Sequence, residues 1–141
     1  MGKIFEDAFM DLQSEYVSLC LELLGNTVEK IYIYLSIEDK SRMFNVFVKK
    51  SNTIQTLNQV VNDRALLMKF LKLGTSDIEK IKSLCEQYNV STPTELKMTY
   101  NVKTGKYNAD YQYNPIYTNV SSGEIFMKWV SLEKEKLSTN K

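Results

Sequence analysis

Residues Pro93–Asn114, PTELKMTYNVKTGKYNADYQYN, carry the strongest structural signal in this sequence, because their side chains alternate as the two strands of a β-hairpin require. Apolar and aromatic residues recur at every second position on both sides of a polar segment: Leu96, Met98, Tyr100, Tyr107, Ala109, Tyr111 and Tyr113. This period of two is typical of half-buried antiparallel strands. The sequence therefore predicts a hairpin with one apolar face.

The polar segment NVKTGK, which begins at Asn101, is predicted to form the turn. Asn101 can hydrogen-bond the backbone that follows it, and Gly105 can adopt a positive φ at low cost. A four-residue loop ending at Gly105 places Tyr100 opposite Tyr107. A tighter turn at Thr104 and Gly105 shifts each partner by two residues and keeps the same side chains on each face, although Thr tolerates positive φ poorly.

A second hairpin is predicted earlier in the chain. Its strands cover Val28–Ile37 and Arg42–Lys50, where β-branched and aromatic residues alternate with polar ones. The polar residues 38–41 connect them. Because aromatic residues occur on both faces of this pair, we expect the sheet to be covered on one face and partly exposed on the other. Residues 51–62 fit either a helix or a third strand.

Helical spacing of apolar residues predicts the remaining elements. They are Lys3–Leu24 ended by Gly25, Arg64–Leu73 ended by Gly74, a helix from a Ser76 and Glu79 capping box through Tyr88, and a last helix capped by Ser122 that frays over residues 133–141. The order of elements predicts one α+β domain over residues 1–141. In it, an antiparallel sheet built from two β-hairpins packs against three to four helices.

The composition is typical of a soluble globular domain. Of the 141 residues, 43% are hydrophobic and 25% are charged, which suffices to bury a core without metals or disulfides. No window approaches the roughly 20 apolar residues of a membrane span. The acidic, amphipathic start of the sequence lacks the layout of a signal peptide, so we expect a cytoplasmic protein.

Catalytic equipment is sparse in this sequence. It contains no histidine, which removes Ser-His and Cys-His nucleophiles, the commonest general base and the usual zinc ligands. Cys20 and Cys85 lie inside apolar helical patterns and are predicted to be buried free thiols. The five glycines do not have the spacing of a phosphate-binding loop. We therefore predict no catalytic, cofactor or metal site, and we do not expect an enzyme.

Tyrosine is abundant near the main hairpin. Five of the nine tyrosines lie between residues 100 and 117, beside Lys97, Lys103 and Lys106. Such residues can form a base-stacking platform, which makes a nucleic-acid-binding or regulatory domain the alternative function. Because Tyr100, Tyr107 and Tyr111 share a face with apolar residues, packing in the core is the simpler interpretation. A small domain without catalytic groups is then expected to act by contact with a partner.

The hairpin and the late helix SGEIFMKW resemble the YezG-type immunity (antitoxin) proteins of bacteria. In that family a strand led by TPTE, a turn of the NVKTG type, a return strand with tyrosine and a closing aromatic helix follow in this order. The residues that carry the resemblance are Pro93, Thr94, Glu95, Tyr100, Lys103, Thr104, Gly105, Tyr111, Tyr113, Ile125, Phe126 and Trp129. The resemblance covers residues 76–130.

This resemblance implies a cytoplasmic protein that neutralises a cognate polymorphic toxin domain, often a nuclease, by binding it and occluding its active site. It implies no catalytic residue and no cofactor. Immunity proteins against nucleases are often acidic, whereas this chain has a net charge of +1. Either an acidic surface of the first helix mimics nucleic acid locally, or the toxin is not a nuclease.

The first helix is the predicted site of contact with the toxin, and helical spacing assigns its polar residues, including Gln13, to the outer surface. Residues 1–40 hold eight acidic and three basic residues, and charge complementarity is a common device for fast, specific association. Exposed tyrosines of the second hairpin are predicted to add aromatic anchors. The candidate interface residues are Glu6, Asp7, Asp11, Glu15, Tyr32 and Tyr34.

Overall fold

A five-stranded antiparallel sheet lies between helices in the computed structural model, which describes residues 4–38, 42–114 and 121–139. The strands in chain order are β1 (Lys30–Ile37), β2 (Arg42–Lys50), β3 (Thr53–Thr56), β4 (Glu95–Asn101) and β5 (Tyr107–Gln112). The helices are α1 (Phe5–Leu24), α2 (Leu57–Val60), α3 (Arg64–Gln87) and α4 (Ser122–Thr139). Across the sheet the strand order is β3-β2-β1-β4-β5. The predicted α+β class is confirmed.

The main hairpin forms in the predicted register. Tyr100 pairs with Tyr107 and Leu96 pairs with Tyr111 across β4 and β5. Asn101 closes the turn, because its Oδ1 accepts hydrogen bonds from the backbone N–H groups of Lys103 and Thr104, each at 3.0 Å. Gly105 has a φ of 74°. The looser of the two predicted turns is therefore the one observed.

One face of the sheet packs against α1 and α3 around a single core. Its strand residues are Ile31, Ile33, Leu35, Ile37, Phe44, Val46, Val48, Leu96 and Met98. The helices contribute residues such as Phe9, Tyr16, Leu67 and Ile78. Cys20 and Cys85 are buried free thiols in the same core, as predicted.

The opposite face of the sheet is covered by α4, which the sequence did not lead us to expect. Phe126, Trp129 and Val130 of α4 pack on Tyr32, Tyr34, Phe47 and Ile54. The expectation of a partly exposed aromatic face at this position is wrong. The reason is that α4 places its apolar stripe over the central strands, about 90 residues later in the chain. The sheet is thus sandwiched between helices over β1 and β2.

α3 is one continuous helix of 24 residues, so the predicted break at Gly74 is wrong. Gly74 lies inside the helix, where a Cβ would overlap the ring of Phe44. Glycine at this position allows α3 to approach Phe44 closely, and the helix continues past it. The Ser76 and Glu79 capping box is also wrong, because Asp63 caps α3 by accepting a hydrogen bond from the backbone N–H of Leu66 at 3.0 Å.

Residues 51–62 contain both of the structures that the sequence left open. Ser51 and Asn52 adopt positive φ, and β3 and the single-turn helix α2 follow. The helix α2 has a capping box in which Thr56 and Gln59 bond reciprocally. Pairing of Lys49 with Ile54 and of Phe47 with Thr56 attaches β3 to the edge of β2.

The ends of the helices differ from the predicted ones by a few residues. α1 begins at Phe5, and the predicted start at Lys3 lies outside the described residues. Gly25 ends α1, as predicted, with its N–H bonded to the carbonyl of Leu21 at 2.7 Å. The side chain of Ser121, and not that of Ser122, caps α4 by accepting from the N–H of Glu124 at 3.1 Å. The predicted fraying is wrong for residues 133–139, which belong to α4, and residues 140–141 lie outside the described residues.

Candidate protein-interaction surface

The outer face of α1 presents a row of carboxylates to solvent. Asp7, Asp11 and Glu15 are four residues apart and therefore lie on one side of the helix. All three are exposed. Glu22, two turns after Glu15, is exposed on the same side. Glu6 is also exposed, but its position in the helix places it off this row. The structure thus brings together three of the four predicted acidic residues.

A groove between α1 and α3 extends this acidic face. It is lined by Asp11, Ser14, Glu15, Ser18, Leu19, Glu22, Asp77 and Lys80. The Nζ of Lys80 lies 3.5 Å from Asp77 and 3.9 Å from Glu15. These contacts are largely solvated and contribute little to stability. One lysine among four carboxylates leaves the groove negatively charged.

The two predicted tyrosine anchors are not on the surface. Tyr32 is 4% exposed and Tyr34 is 0% exposed, because α4 covers both rings. Tyr32 stacks on Phe47 with ring centroids 4.4 Å apart, and Trp129 packs edge-on against it at 5.8 Å. The expectation that these rings are exposed is wrong.

Tyr34 is fully buried in the second hydrophobic core, which α4 forms with the opposite face of the sheet. Its hydroxyl donates a hydrogen bond to the Oε2 of Glu95 at 2.7 Å. Burial, together with this bond to a carboxylate, raises the pKa of Tyr34. The phenol is therefore held neutral as a packed and hydrogen-bonded side chain, which is a structural role.

Accessible tyrosines occur instead at the end of β5. Tyr111 is 41% exposed and Tyr113 is 51% exposed. The ring of Tyr111 lies 5.5 Å from that of Phe9, and Phe9 lies 5.3 Å from Phe5. Tyrosines of this kind are suitable interface anchors because a large ring and a hydroxyl are offered with little conformational freedom. The expectation that Tyr111 packs in the core is wrong, because β5 is an edge strand and leaves part of the ring exposed.

Gln13 links this aromatic edge to α1. Its Oε1 accepts hydrogen bonds from the hydroxyls of Tyr107 at 2.5 Å and Tyr111 at 3.2 Å. Gln13 is only 1% exposed, although the helical pattern assigned it to the outer surface of α1. Its Nε2 has no hydrogen-bond partner among the described residues. No local signal could identify Gln13, since its partners lie 94 and 98 residues away in the chain.

Comparisons with protein families and with curated proteins identify no relative of this chain. No protein-family model matches the sequence, and no curated protein matches it either. Within residues 4–38, 42–114 and 121–139, no group of three or more Cys, Asp or Glu side chains is arranged to hold a metal ion. No helix in that part of the chain is long and apolar enough to cross a membrane.

Proposed function

We propose that this chain is an immunity protein that binds a cognate bacterial toxin domain and neutralises it by occluding its active site. The observation that carries the proposal is the exposed carboxylate row of Asp7, Asp11 and Glu15 on α1. The resemblance of residues 76–130 to YezG-type immunity proteins supports the same function. A nuclease is the toxin class that this acidic row suits best.

The physical argument rests on what a nuclease must bind. Its active-site cleft carries basic side chains that attract phosphates. Carboxylates spaced along α1 from Asp7 to Glu22 span about 22 Å at the rise of an α-helix, which is long enough to fill such a cleft. Complementary charge also accelerates association, which matters for a protein that must reach its toxin before the toxin reaches its substrate.

The net charge of +1 does not oppose this argument. Binding depends on the local field of the contacting surface, since charges farther away than about 8 Å are screened at physiological ionic strength. The groove between α1 and α3 holds four carboxylates and one lysine. A nearly neutral chain can therefore present an acidic surface to one partner.

The test is protection of cells that express the toxin encoded beside this gene. The native chain is expected to keep the cells alive, and the triple reversal Asp7→Lys, Asp11→Lys and Glu15→Lys is expected to abolish protection. A matched control, Glu86→Lys, Glu124→Lys and Glu135→Lys, changes the net charge equally at exposed positions on α3 and α4. It should protect like the native chain.

Two results would contradict the proposal. Death of cells that express the native chain with the neighbouring toxin would refute the immunity function itself. Equal loss of protection in both triple variants, with both proteins folded by circular dichroism, would show that net charge matters and that the α1 surface does not. The pair of variants therefore separates the function from the location of its surface.

The alternative function, a nucleic-acid-binding or regulatory domain, draws on the exposed rings of Tyr111 and Tyr113. Lys103 and Lys106 are exposed in the turn of the same hairpin. Single-stranded nucleic acid bound by these groups would be released steeply as salt rises. A gel shift with single-stranded DNA and RNA at low salt decides the matter, because no shift there removes this alternative.

A further inference from the structure

The outer edge of β5 pairs with no other strand among the described residues. The carbonyls of Lys106 and Gln112 both point toward β4, where they accept hydrogen bonds from the N–H groups of Asn101 at 2.9 Å and Thr94 at 2.7 Å. Alternate residues of an antiparallel strand direct their backbone groups to opposite sides. The N–H and C=O groups of Tyr107, Ala109 and Tyr111 therefore point away from β4. No strand among the described residues pairs with them.

Of the features by which sheet proteins avoid edge-to-edge pairing, β5 has a single charged side chain, Asp110. Such edges are usually protected by lysine, proline, bulges or extreme shortness. The six residues of β5, YNADYQ, contain neither lysine nor proline, and they pair with β4 in a continuous register. The opposite edge strand, β3, has only four residues and passes directly into α2. The two edges of the sheet thus differ in their capacity to pair.

The sequence of β5 is complementary to itself in one register. If two copies pair antiparallel with Ala109 on the twofold axis, each Tyr107 lies opposite a Tyr111 and each Asn108 lies opposite an Asp110. Aromatic pairs and amide-carboxylate pairs of this kind are favourable across strands. The three outward-facing residues of each copy then form about six backbone hydrogen bonds.

Neighbouring registers of the same pairing are poorer. With the axis at Asp110, the two carboxylates oppose each other, which is unfavourable. With the axis at Asn108, Tyr111 lies opposite Gly105 in the turn, so only two of the three outward-facing residues are paired within the strand. The charge pattern and the direction of the backbone groups therefore select the register centred on Ala109.

The tyrosines that would form the cross-strand pairs are already held in place. Gln13 fixes the hydroxyls of both Tyr107 and Tyr111, so little side-chain freedom remains to be lost on association. Tyr107 and Tyr111 are thus the residues that this edge offers with fixed side chains. This arrangement favours pairing of β5 with another strand, because its tyrosine side chains are already ordered.

We propose that β5 pairs with β5 of a second copy of this chain, antiparallel, with Ala109 on the twofold axis, to form a continuous ten-stranded sheet. Isologous contacts of this type close after two copies and do not extend into fibres. The surface is separate from the carboxylate row of α1, and the dimer does not depend on the proposed function.

Light scattering coupled to size exclusion, over a wide concentration series, tests the dimer. The native chain is expected to reach twice its 16.4 kDa mass as concentration rises. Ala109→Pro removes an outward N–H and places a ring on the axis, and it is expected to remain at 16.4 kDa. Proline is tolerated in an edge strand where the N–H faces solvent, so the fold should persist. Ala109→Ser keeps the N–H and should dimerise like the native chain.

A second variant tests the register without altering the backbone. Asn108→Asp places two like-charge pairs across the axis and is expected to weaken dimerisation about tenfold. The exchange Asn108→Asp with Asp110→Asn restores one amide and one carboxylate in each pair and should restore the native affinity. If Ala109→Pro fails to fold, this pair of variants decides.

Three outcomes would overturn the proposal. The native chain could stay at 16.4 kDa at every concentration. Folded Ala109→Pro could dimerise as the native chain does, which would place the contact elsewhere. Asn108→Asp could dimerise with unchanged affinity, which would exclude the register centred on Ala109.

Discussion

Gly74 lies where α3 contacts both α1 and β2, and its lack of a side chain allows these elements to approach closely. Its position in α3 lies against the ring of Phe44 on β2, and its carbonyl accepts a hydrogen bond from the hydroxyl of Tyr16 on α1 at 2.6 Å. Phe44 also contacts Tyr16, with ring centroids 5.4 Å apart. The close approach of α3 to the sheet therefore requires glycine at this point.

We expect Gly74→Ala to destabilise the protein although alanine is the better helix former. The gain in helix propensity is about 1 kcal/mol, whereas a methyl group forced into the Phe44 ring costs about 1 to 3 kcal/mol. Urea denaturation followed by circular dichroism measures the difference. Gly123→Ala is the matched control, because its nearest contact is an ordinary 3.8 Å to Ser121, and it should be neutral or stabilising. A Gly74→Ala variant as stable as its parent would contradict the expected overlap.

Local pattern could not predict the roles of individual residues such as Gly74 and Gln13. Glycine weakens helices in general, so a break at Gly74 was the reasonable expectation. What overrides this tendency is a ring from β2, 30 residues earlier. Gln13 lies at the margin of the apolar stripe, and only the packing of β5 against α1 decides that it is buried. Both errors arise where tertiary contacts outweigh local preference.

At the scale of elements, α4 seals the second face of the sheet with a small aromatic core. Trp129 contacts three rings of the sheet, those of Tyr32, Tyr34 and Phe47, at centroid distances of 5.8, 6.4 and 5.0 Å. The Nζ of Lys97 lies 5.5 Å from the centre of the same indole. Trp129 is thus the main residue that attaches α4.

We expect Trp129→Ala to cost about 3 to 5 kcal/mol, the range for removing a large buried aromatic side chain. The loss should free α4 first, because the larger core with α1 and α3 is untouched. Binding of a hydrophobic dye and hydrogen exchange in α4 report this detachment, and urea denaturation gives the total cost. Leu132→Ala, at a residue that is 44% exposed, should change stability by less than about 0.5 kcal/mol. Similar effects of the two substitutions would show that α4 contributes little.

The two hairpins were predictable because strand period and turn chemistry act over a few residues. Asn101 and Gly105 determine the turn of the main hairpin, and the alternation on each side then determines its register. The place of α4 could not be predicted in this way. The sequence of an amphipathic helix reveals its apolar stripe, but it does not reveal which face of a sheet that stripe will cover.

At the scale of the whole molecule, stability is expected to fall in alkaline solution. Burial is the main cause that raises the pKa values of Tyr16, Tyr32 and Tyr107 above the value of about 10 for a free tyrosine. The folded state therefore retains phenol protons that the unfolded state releases. The stabilisation is complete below about pH 10 and is lost as the pH rises above that value.

Urea denaturation at several pH values, with tyrosinate absorbance recorded in parallel, measures this dependence. The free energy of unfolding should decrease above about pH 10, and the part of the tyrosinate absorbance that comes from these three side chains should appear together with unfolding. Tyr107→Phe removes one of the buried phenols and should make the decrease shallower. A free energy of unfolding that stays constant well above this pH would contradict the expectation.

The candidate surface was predictable only in part at this scale. Asp7, Asp11 and Glu15 were recognised because helical spacing alone separates an exposed face from a buried one. The exposed tyrosines were assigned to the wrong hairpin, because exposure in a sheet depends on which strand lies at the edge and which face a helix covers. Tyr32 and Tyr34 lie on the central strand β1, and Tyr111 lies on the edge strand β5.

The late position of α4 in the chain has a consequence for biosynthesis. All five strands leave the ribosome before α4 does, so Tyr32, Tyr34 and Phe47 stay uncovered on the nascent sheet until α4 has emerged. During that interval the growing polypeptide exposes an aromatic surface to which chaperones or neighbouring nascent chains can bind. Products truncated before α4 would keep that aromatic surface exposed, and cellular proteases should remove them.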